Sequence, residues 1–399
     1  MAEPLTALVT GASGFIARHL ILSLERTGRF QVLRTTRATP SAEQASFLRR
    51  ADIVYHLAGV NRPPDPAEFA TGNAGLTQAL CQELAAAGRR PLLVLASSVQ
   101  AALDNPYGRS KSLAEQHVAE WVRATGGGAV VCRLKNVFGK WCRPNYNSVT
   151  ATFCHNLARG RPIEISDPAR ELELVYIDDV VATLLDLASA LAAAPGSHLG
   201  QLRTADVPRS FRVTLGALAQ KIEGFRRSRD TLLLDSFADD FTRCLYATYL
   251  SYLEPAAFAY PLLQRSDQRG SLAEFIKQPA FGQVFISRTA PGITRGNHYH
   301  DTKTEKFLVV QGRAIIRFRP VLGGEVVEHH VDGREFRVVD IPPGYTHSIE
   351  NVGPDELVTL FWASEIFDPA RPDTYLLPVL PAPPTAPQPA SAPPQATRL

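Results

Sequence analysis

The chain is poor in cysteine and methionine and carries no long apolar run. Five cysteines (Cys81, Cys132, Cys142, Cys154 and Cys244) are scattered, odd in number and free of any CxxC pair. This excludes a disulfide framework and predicts reduced thiols acting as small buried hydrophobes in a cytoplasmic protein. No window approaches the ~18 uninterrupted apolar residues of a membrane span, so no membrane partner is expected. The opening MAEPLTALVTGASG has no basic stretch followed by an apolar one, so no signal peptide is expected. Net charge is also small: 42 Lys and Arg against 39 Asp and Glu leave +3. That argues against nucleic acid as a partner and leaves room for a local basic pocket. What is present, 45% hydrophobic and 20% charged residues, is ordinary for globular proteins. A length of 399 residues favours two cores over one.

The chain changes texture part-way. From residue 5 to about 190, β-branched apolar runs (LTALVT, QVLRTT, DIVYHLA, LLVLASS, AVVCRL) alternate with segments of helical period such as ARHLILSLERT, NAGLTQALCQELAAA and GRSKSLAEQHVAEWVRAT. Continuous apolar strands separated by helices predict a doubly wound α/β (Rossmann) domain, with helical patterns continuing to 250. Residues 251–264, around LEPAAFAYP, read as a linker. From 265 to 377, short strand-like runs (GQVFISR, KFLVVQG, AIIRFRP, FRVVDIP, LVTLFWA) follow one another without a long helix, which predicts an all-β domain. The Pro- and Ala-rich residues 378–399 are expected to be a disordered tail.

Two groups of residues carry chemistry in the first domain. The strand 5–10 ends in Gly11, Ser13, Gly14, Phe15 and Ile16, where glycines allow a pyrophosphate to approach a helix N-terminus. Arg34 and Arg37 close the second strand, where a site for NAD would carry an acid; arginine there suits a 2′-phosphate and favours NADPH. Leu57 and Ala58, in the HLAG run His56 to Gly59, and Lys111 complete the cofactor-binding candidates. Tyr107 and Lys111 stand at i and i+4 on one helix face. A nearby ammonium stabilises a phenolate, so Tyr107 can exchange a proton with a substrate oxygen that Ser98 could also hold. The loop from Lys140 to Asn147 offers cations and amides near the strand ends; its Lys140, Arg143 and Asn145, with Asn136 just before it, are the candidates for substrate contact.

In the second domain His298 and His300 are two apart and share a strand face, Glu305 falls on the next strand and His347 on a distant one. Three imidazoles and a carboxylate suit Zn²⁺, and also Fe, Mn, Ni or Cu.

These motifs resemble known families. TGxxGF, HLAG, Asn73, the pair Ser97-Ser98 and YxxxK resemble the extended short-chain dehydrogenase/reductases, mostly enzymes of sugar nucleotides. The resemblance extends to Arg133 to Gly139 (RLKNVFG) and Val175 to Val180 (VYIDDV), and it implies that Ser98, Tyr107 and Lys111 are a catalytic triad. Ser98 and Tyr107 are closer together than in most members, so a loop is trimmed and the substrate entrance differs. Gly292-x5-His298-x-His300-x4-Glu305-x6-Gly312 and Pro342-x-Gly344-x2-His347-x3-Asn351 resemble the cupin motifs, with Phe336 where the second opens on glycine. Asp267 to Glu274 (DQRGSLAE) and Gly292 to Tyr299 (GITRGNHY) resemble the dTDP-4-keto-6-deoxyglucose epimerases. That implies Arg269 and Glu274 at the substrate, and a histidine base at the position of His298. A metal-bound His298 could not act freely as base, which leaves Tyr299, Glu305, Lys306 and Tyr345 as alternatives.

The whole chain to about residue 376 resembles the bifunctional reductase–cupin enzymes of bacterial capsule and O-antigen synthesis. Shared stretches include DNPYG, FGKWCRPNYNSV, TYLSYL, PGYTH and FDPARPDTY. The resemblance implies C3 epimerisation of a UDP-linked 4-keto-6-deoxy-HexNAc by the cupin. NADPH-dependent C4 reduction then gives UDP-2-acetamido-2,6-dideoxy-L-talose, on the way to UDP-N-acetyl-L-fucosamine, and a homodimer is expected. Three alternatives stay open: a cupin serving only as a metal-stabilised dimerisation or substrate-binding module, a cupin that is a dioxygenase or isomerase, and a non-catalytic sugar-nucleotide sensor.

Overall fold

The computed structural model describes residues 4–380. The expected disordered tail therefore lies, beyond 380, outside the described residues. By contacts the chain divides into two units, one of residues up to 226 with 237–258, the other of 227–236 with the residues from 259 on.

The first unit runs β1 (Leu5–Thr10), α1 (Phe15–Thr27), β2 (Phe30–Thr35), α2 (Ser41–Arg50), β3 (Ile53–His56), α3 (Leu76–Ala86), β4 (Leu92–Ser98), α4 (Pro106–Thr125) and β5 (Gly128–Leu134). It continues with β6 (Asn136–Phe138), α5 (Val149–Leu157), β7 (Glu171–Tyr176), α6 (Ile177–Ala193), β8 (Leu202–Ala205), β9 (Phe211–Thr214), α7 (Leu215–Thr231, its residues from 227 on counted with the second unit) and α8 (Asp240–Leu250). Six parallel strands lie in the order β2-β1-β3-β4-β5-β8. The near-continuous apolar sequences of β1, β3, β4 and β5 follow from cover on both faces. Leu20, Leu24, Val180 and Leu184 of α1 and α6 pack on one side; Leu80, Leu84, Val118 and Trp121 of α3 and α4 pack on the other. The chain leaves β1 outward to β2 and then crosses back to β3, so the winding reverses between β1 and β3. In such sheets this reversal opens a crevice at the carboxyl ends of the two strands. A smaller sheet, β6-β7-β9, packs with α5, α7 and α8 around Phe138, Phe153, Leu218 and Leu245.

The second unit is all-β: β10 (Gln264–Asp267), β11 (Gly270–Gln278), β12 (Gly282–Thr289), β13 (Thr294–Tyr299), β14 (Glu305–Gln311), β15 (Arg313–Pro320), β16 (Val327–Asp332), β17 (Val338–Ile341), β18 (Tyr345–Asn351), β19 (Leu357–Ala363) and β20 (Tyr375–Leu376). Two antiparallel sheets, β10-β11-β12-β19-β14-β17 and β16-β15-β18-β13-β20, enclose Phe307, Ile316, Phe318, Ile349 and Phe361. This is the jelly-roll arrangement of a cupin. Leu233 bridges Lys277, which places the 227–236 segment beside β11.

Candidate active site and metal cluster

The glycine turn after β1 is built for close approach. Gly11 has φ +63°, and a Cβ there would stand 2.8 Å from Ala58 Cα and 2.9 Å from Ala58 N. The loop after β1 and the HLAG run after β3 therefore touch backbone to backbone, with Ala58 N–H also donating to Thr10 Oγ1 at 3.2 Å. Gly14 caps α1 in an extended conformation, and Ser13, Gly14, Phe15 and Ile16 lead into a 13-residue helix whose first N–H groups are free for an anion. His56 holds the floor of this region, its Nδ1 2.9 Å from Thr10 Oγ1 and its Nε2 3.1 Å from Thr77 Oγ1. Complete burial, with Lys111 nearby, drops its pKa to about 3, so His56 is a neutral polar strut. Arg34 and Arg37 are exposed at the end of β2; Arg34 pairs with Glu25, and Arg37 follows directly on Thr36, which opens the Thr36–Thr39 turn.

Tyr107 and Lys111 lie on the first turns of α4, whose start is fixed by Pro106 and by Asn105, whose Oδ1 accepts from Gly108 N–H at 2.8 Å. The trimmed connection is a 3-10 turn, Val99–Ala102, capped by Ser98 Oγ. It passes so close to α4 that a Cβ on Gly108 would lie 2.3 Å from Gln100 O and 2.4 Å from Leu103 O. Burial raises the pKa of Tyr107, and a hydrogen bond with Ser98 opposes the rise. The phenol thus stays protonated at neutral pH. Its hydroxyl donates to Asn61 Oδ1 at 3.0 Å. Lys111 Nζ lies 5.9 Å from the centre of the Tyr107 ring and donates to Ala96 O at 3.1 Å. Burial pulls its pKa down to about 8, with Glu115 holding it up in part. Ser98, Tyr107 and Lys111 are thus gathered above the strand ends.

The 140–147 loop reaches the same place through one side chain that the sequence did not single out. Tyr146 Oη accepts from Arg62 N–H at 3.2 Å, next to the residue that binds the Tyr107 hydroxyl. Arg143 stacks over Tyr146 at 5.0 Å, Lys140 Nζ pairs with Asp178 at 2.9 Å, and Asn145 adopts φ +53°. Asn136 points elsewhere, its Nδ2 donating to Glu173 O at 3.3 Å. Asn61 is the second residue that sequence reading missed; its only signal is its place just beyond HLAG, at the carboxyl end of β3.

In the second unit His298, His300, Glu305 and His347 present ligand atoms all within 4.8 Å of one another. His298 and His347 are register partners on β13 and β18. The expectation that both His298 and His300 lie within one strand needs correcting: β13 ends at Tyr299 and carries a bulge at Asn297, so His300 enters from the turn. The Nε2 atoms of His300 and His347 stand 3.3 and 3.5 Å from Glu305 Oε2, yet both are buried without a hydrogen-bond partner. Buried polar atoms left unpaired need an explanation, and a shared ion supplies one. Burial lowers His298 to about 4 and keeps it neutral. Burial opposes ionisation of Glu305, but the facing imidazoles outweigh it and hold its pKa at about 2. Three imidazoles around a carboxylate are a donor set that a divalent metal takes.

The other proposed residues are spread around this cluster. Lys306 turns to the outer face and pairs with Asp340, while Tyr299 stacks on Tyr375 at 5.1 Å. Tyr345 is exposed at the start of β18. Arg269 pairs with Asp267 at 2.5 Å at the exposed turn between β10 and β11. Glu274 pairs with Lys277 at 3.2 Å across a bulge at Phe275. Their partners across the ladder, Phe285 and Gln283, align through Phe361 and Ala363 with Phe307 and Glu305, so Glu274 and Lys277 share the face that carries Glu305.

Comparison with known proteins places this geometry. Residues 7–199 match the NAD dependent epimerase/dehydratase family, and residues 265–375 match a polysaccharide biosynthesis C-terminal domain. A UDP-2-acetamido-2,6-beta-L-arabino-hexul-4-ose reductase of Pseudomonas aeruginosa is 43% identical over 92% of this chain and 97% of its own length. The chain belongs to the NAD-dependent epimerase/dehydratase family, in the form that carries this C-terminal domain. Within that family, the capsular polysaccharide assembling protein CapF of Staphylococcus aureus superposes with a TM-score of 0.84. It is 44% identical and covers 94% of this chain and 100% of its own. The UDP-glucuronic acid 4-epimerase of Bacillus cereus, solved with NAD, is 17% identical over 62% of this chain and 96% of its own, with a TM-score of 0.52, and shares the fold. No helix among the described residues is long and apolar enough to cross a membrane.

Proposed function

We propose that this chain is a bifunctional sugar-nucleotide enzyme of the cytoplasm, acting as a homodimer on a UDP-linked 4-keto-6-deoxy-HexNAc. The second unit epimerises C3, and the first reduces C4 to give UDP-6-deoxy-L-TalNAc for UDP-L-FucNAc synthesis. The observation that carries this reading is the likeness of 92% of the chain, across both units, to a UDP-2-acetamido-2,6-beta-L-arabino-hexul-4-ose reductase.

Gly11 to Ile16 would hold the diphosphate of NADPH at the β1–β3 crevice, and Arg37, which does not share the pairing that engages Arg34, would hold its 2′-phosphate; the cofactor would supply the hydride when bound. Tyr107 donates the proton to the C4 oxygen. Its pKa is raised by burial, which suits it as an acid at neutral pH, and Ser98 shares the oxygen. Lys111, buried beside the phenol, stabilises the phenolate left behind. Arg143 and Tyr146 hold the nucleotide sugar beside Tyr107, as Arg269 and Glu274 do in the second unit. In that unit the C3 hydrogen is acidic because the neighbouring ketone delocalises the carbanion as an enolate. A divalent metal, Zn²⁺ by this donor set, supplies Lewis-acid charge to a carbonyl oxygen when bound by His298, His300, Glu305 and His347. Reduction removes the ketone and with it the acidity, so the first unit fixes the epimer the second has made.

The test is to offer the protein the UDP-4-keto sugar in D₂O, with and without NADPH, and to read the products by NMR. Deuterium at C3 without NADPH, and a C4 alcohol with it, is the expected result. Reduction with no exchange at C3 would reduce the second unit to a dimerisation or substrate-binding module.

A further inference from the structure

We propose that Asp373 is the positioning residue of the metal cluster, fixing both the tautomer of His300 and the span of chain between His300 and Glu305. The inference rests on the reading that the cluster holds a divalent metal.

His300 and Glu305 are joined by a turn, residues 301–304, that belongs to no strand. Asp373, from the segment just before β20, takes hold of that turn. Its Oδ1 accepts from Asp301 N–H at 2.9 Å; its Oδ2 accepts from Thr302 N–H at 3.0 Å, Lys303 N–H at 2.8 Å and Thr302 Oγ1 at 3.1 Å. One carboxylate thus collects three successive backbone donors, which sets the turn's curvature and the separation of the two ligands it joins. The backbone carbonyl of the same residue lies 2.6 Å from His300 Nδ1. A carbonyl only accepts, so Nδ1 carries the proton, and the lone pair is left on Nε2, the atom that faces Glu305. Asp373 adopts φ +38°, a left-handed conformation that aspartate enters more readily than most side chains and that lets its carboxylate and carbonyl serve neighbouring targets.

The flanking chain holds Asp373 in place. Lys303, 6% exposed, donates from Nζ to Pro372 O and Thr374 Oγ1, both at 3.1 Å. Two residues on, β20 pairs with β13 through Tyr375 and Leu376, the latter opposite His298. Leu377 N–H donates to Asn297 O at 2.9 Å, and Val379 N–H to Asn297 Oδ1 at 3.1 Å. This strap spans the strand that bears one ligand and the turn that presents another. Partners of this kind orient metal-binding histidines, and their loss weakens metal affinity by roughly 10–100-fold.

The experiment is a double-mutant cycle on the full chain, with Zn²⁺ affinity measured by competition against a chromogenic chelator. Asp373→Ala, which removes the carboxylate that gathers the turn and keeps the backbone carbonyl that faces His300 Nδ1, is expected to weaken zinc binding by about 10–100-fold. In a His300→Ala background, where three ligands remain, the same substitution is expected to add less than about threefold, because the group it positions is gone. Equal losses in both backgrounds would show a general structural role and overturn the proposal, as would unchanged affinity in the single variant. If Asp373→Ala does not fold, Asp373→Asn, which keeps one acceptor oxygen, is compared in the same two backgrounds and judged by the same criterion. Wild-type chain that takes up no zinc would refute the metal reading and this inference together; wild-type uptake with equal uptake by the variant refutes this inference alone.

Discussion

Gly11→Ala isolates the contact on which the cofactor site is built. At φ +63° an alanine pays about 1–2 kcal/mol for the left-handed backbone alone. Its methyl would also press to 2.8 Å on Ala58 Cα and 2.9 Å on Ala58 N, backbone atoms that no rotamer change can clear. Overpacking of this kind adds about 1–3 kcal/mol, for a total near 2–5 kcal/mol. Gly88 is the natural control: its φ is +64°, but nothing lies within 4 Å of where a methyl would stand, so Gly88→Ala carries only the backbone cost. For a domain of this size each kcal/mol moves the melting temperature by about 2–4 °C. The transition of the first unit should fall by about 2–8 °C in Gly88→Ala and by about 4–20 °C in Gly11→Ala, read by calorimetry. NADPH titration, followed by nicotinamide fluorescence, should weaken only in Gly11→Ala. Equal thermal losses in the two variants, or wild-type NADPH affinity in Gly11→Ala, would refute the argument that the loops after β1 and β3 meet there to receive a dinucleotide.

Other substitutions address the chemistry. Tyr107→Phe should cut the reduction rate by about 10²–10⁴-fold while leaving NADPH affinity within about threefold of wild type, measured by stopped-flow oxidation and by titration; a rate near wild type would remove Tyr107 as the proton donor. Lys111 has a folded pKa pushed down to about 8 by burial, against 10.5 as the ordinary value. Below pH 8 the amine is charged in folded and unfolded chain alike and the burial penalty is fully present; between about 8 and 10.5 the unfolded chain holds the proton that the folded chain sheds, so this residue makes stability rise with pH. Urea midpoints at pH 7.5 and 9.5 should therefore climb more in wild type than in Lys111→Met, and parallel slopes would contradict the burial. Chelator treatment of protein purified with zinc should lower the melting temperature of the second unit, and Glu305→Gln should abolish the difference between loaded and stripped protein.

The sequence spoke most clearly where burial left no choice. β1, β3, β4 and β5 are covered on both faces, so their residues read as plain apolar runs and their positions are legible to within a residue or two. Helix α2 escaped notice because SAEQASFLRR buries only Leu48 and shows no apolar stripe. The β6-β7-β9 sheet escaped because two of its strands, β6 and β9, have only three and four residues and are incompletely buried. In the second unit the pattern is inverted. β15 and β19 alternate cleanly and are visible in the sequence, whereas β13 (TRGNHY) and β18 (YTHSIEN) are polar because they carry the cluster. Histidines at 298, 300 and 347 can be read as a ligand set from spacing alone; the end of β13 at Tyr299 cannot, since it depends on the bulge at Asn297.

The residues missed share one physical trait: their roles depend on what they touch across long sequence separations. Asn61 meets the Tyr107 hydroxyl 46 residues away, and Tyr146 meets Arg62 across 84. Asp373 acts on a turn 70 residues before it. Spacing motifs record the groups that chemistry requires, as in the i, i+4 pair Tyr107 and Lys111 or the histidines at 298, 300 and 347, but not the residues that support them. Sheet winding brings the rest together: the parallel pairing of β3 with β4 sets 61–62 beside the head of α4, and the pairing of β20 with β13 lays Asp373 against the ligand turn. Groups that chemistry requires can be named from sequence; those that hold them at the right distance become visible only once the sheets are assembled. On this account Asn61→Ala should lower the reduction rate through substrate placement, raising KM for the UDP-sugar more than that for NADPH. A change confined to NADPH would place Asn61 with the cofactor instead and break the link drawn here between the Tyr107 hydroxyl and the substrate loop.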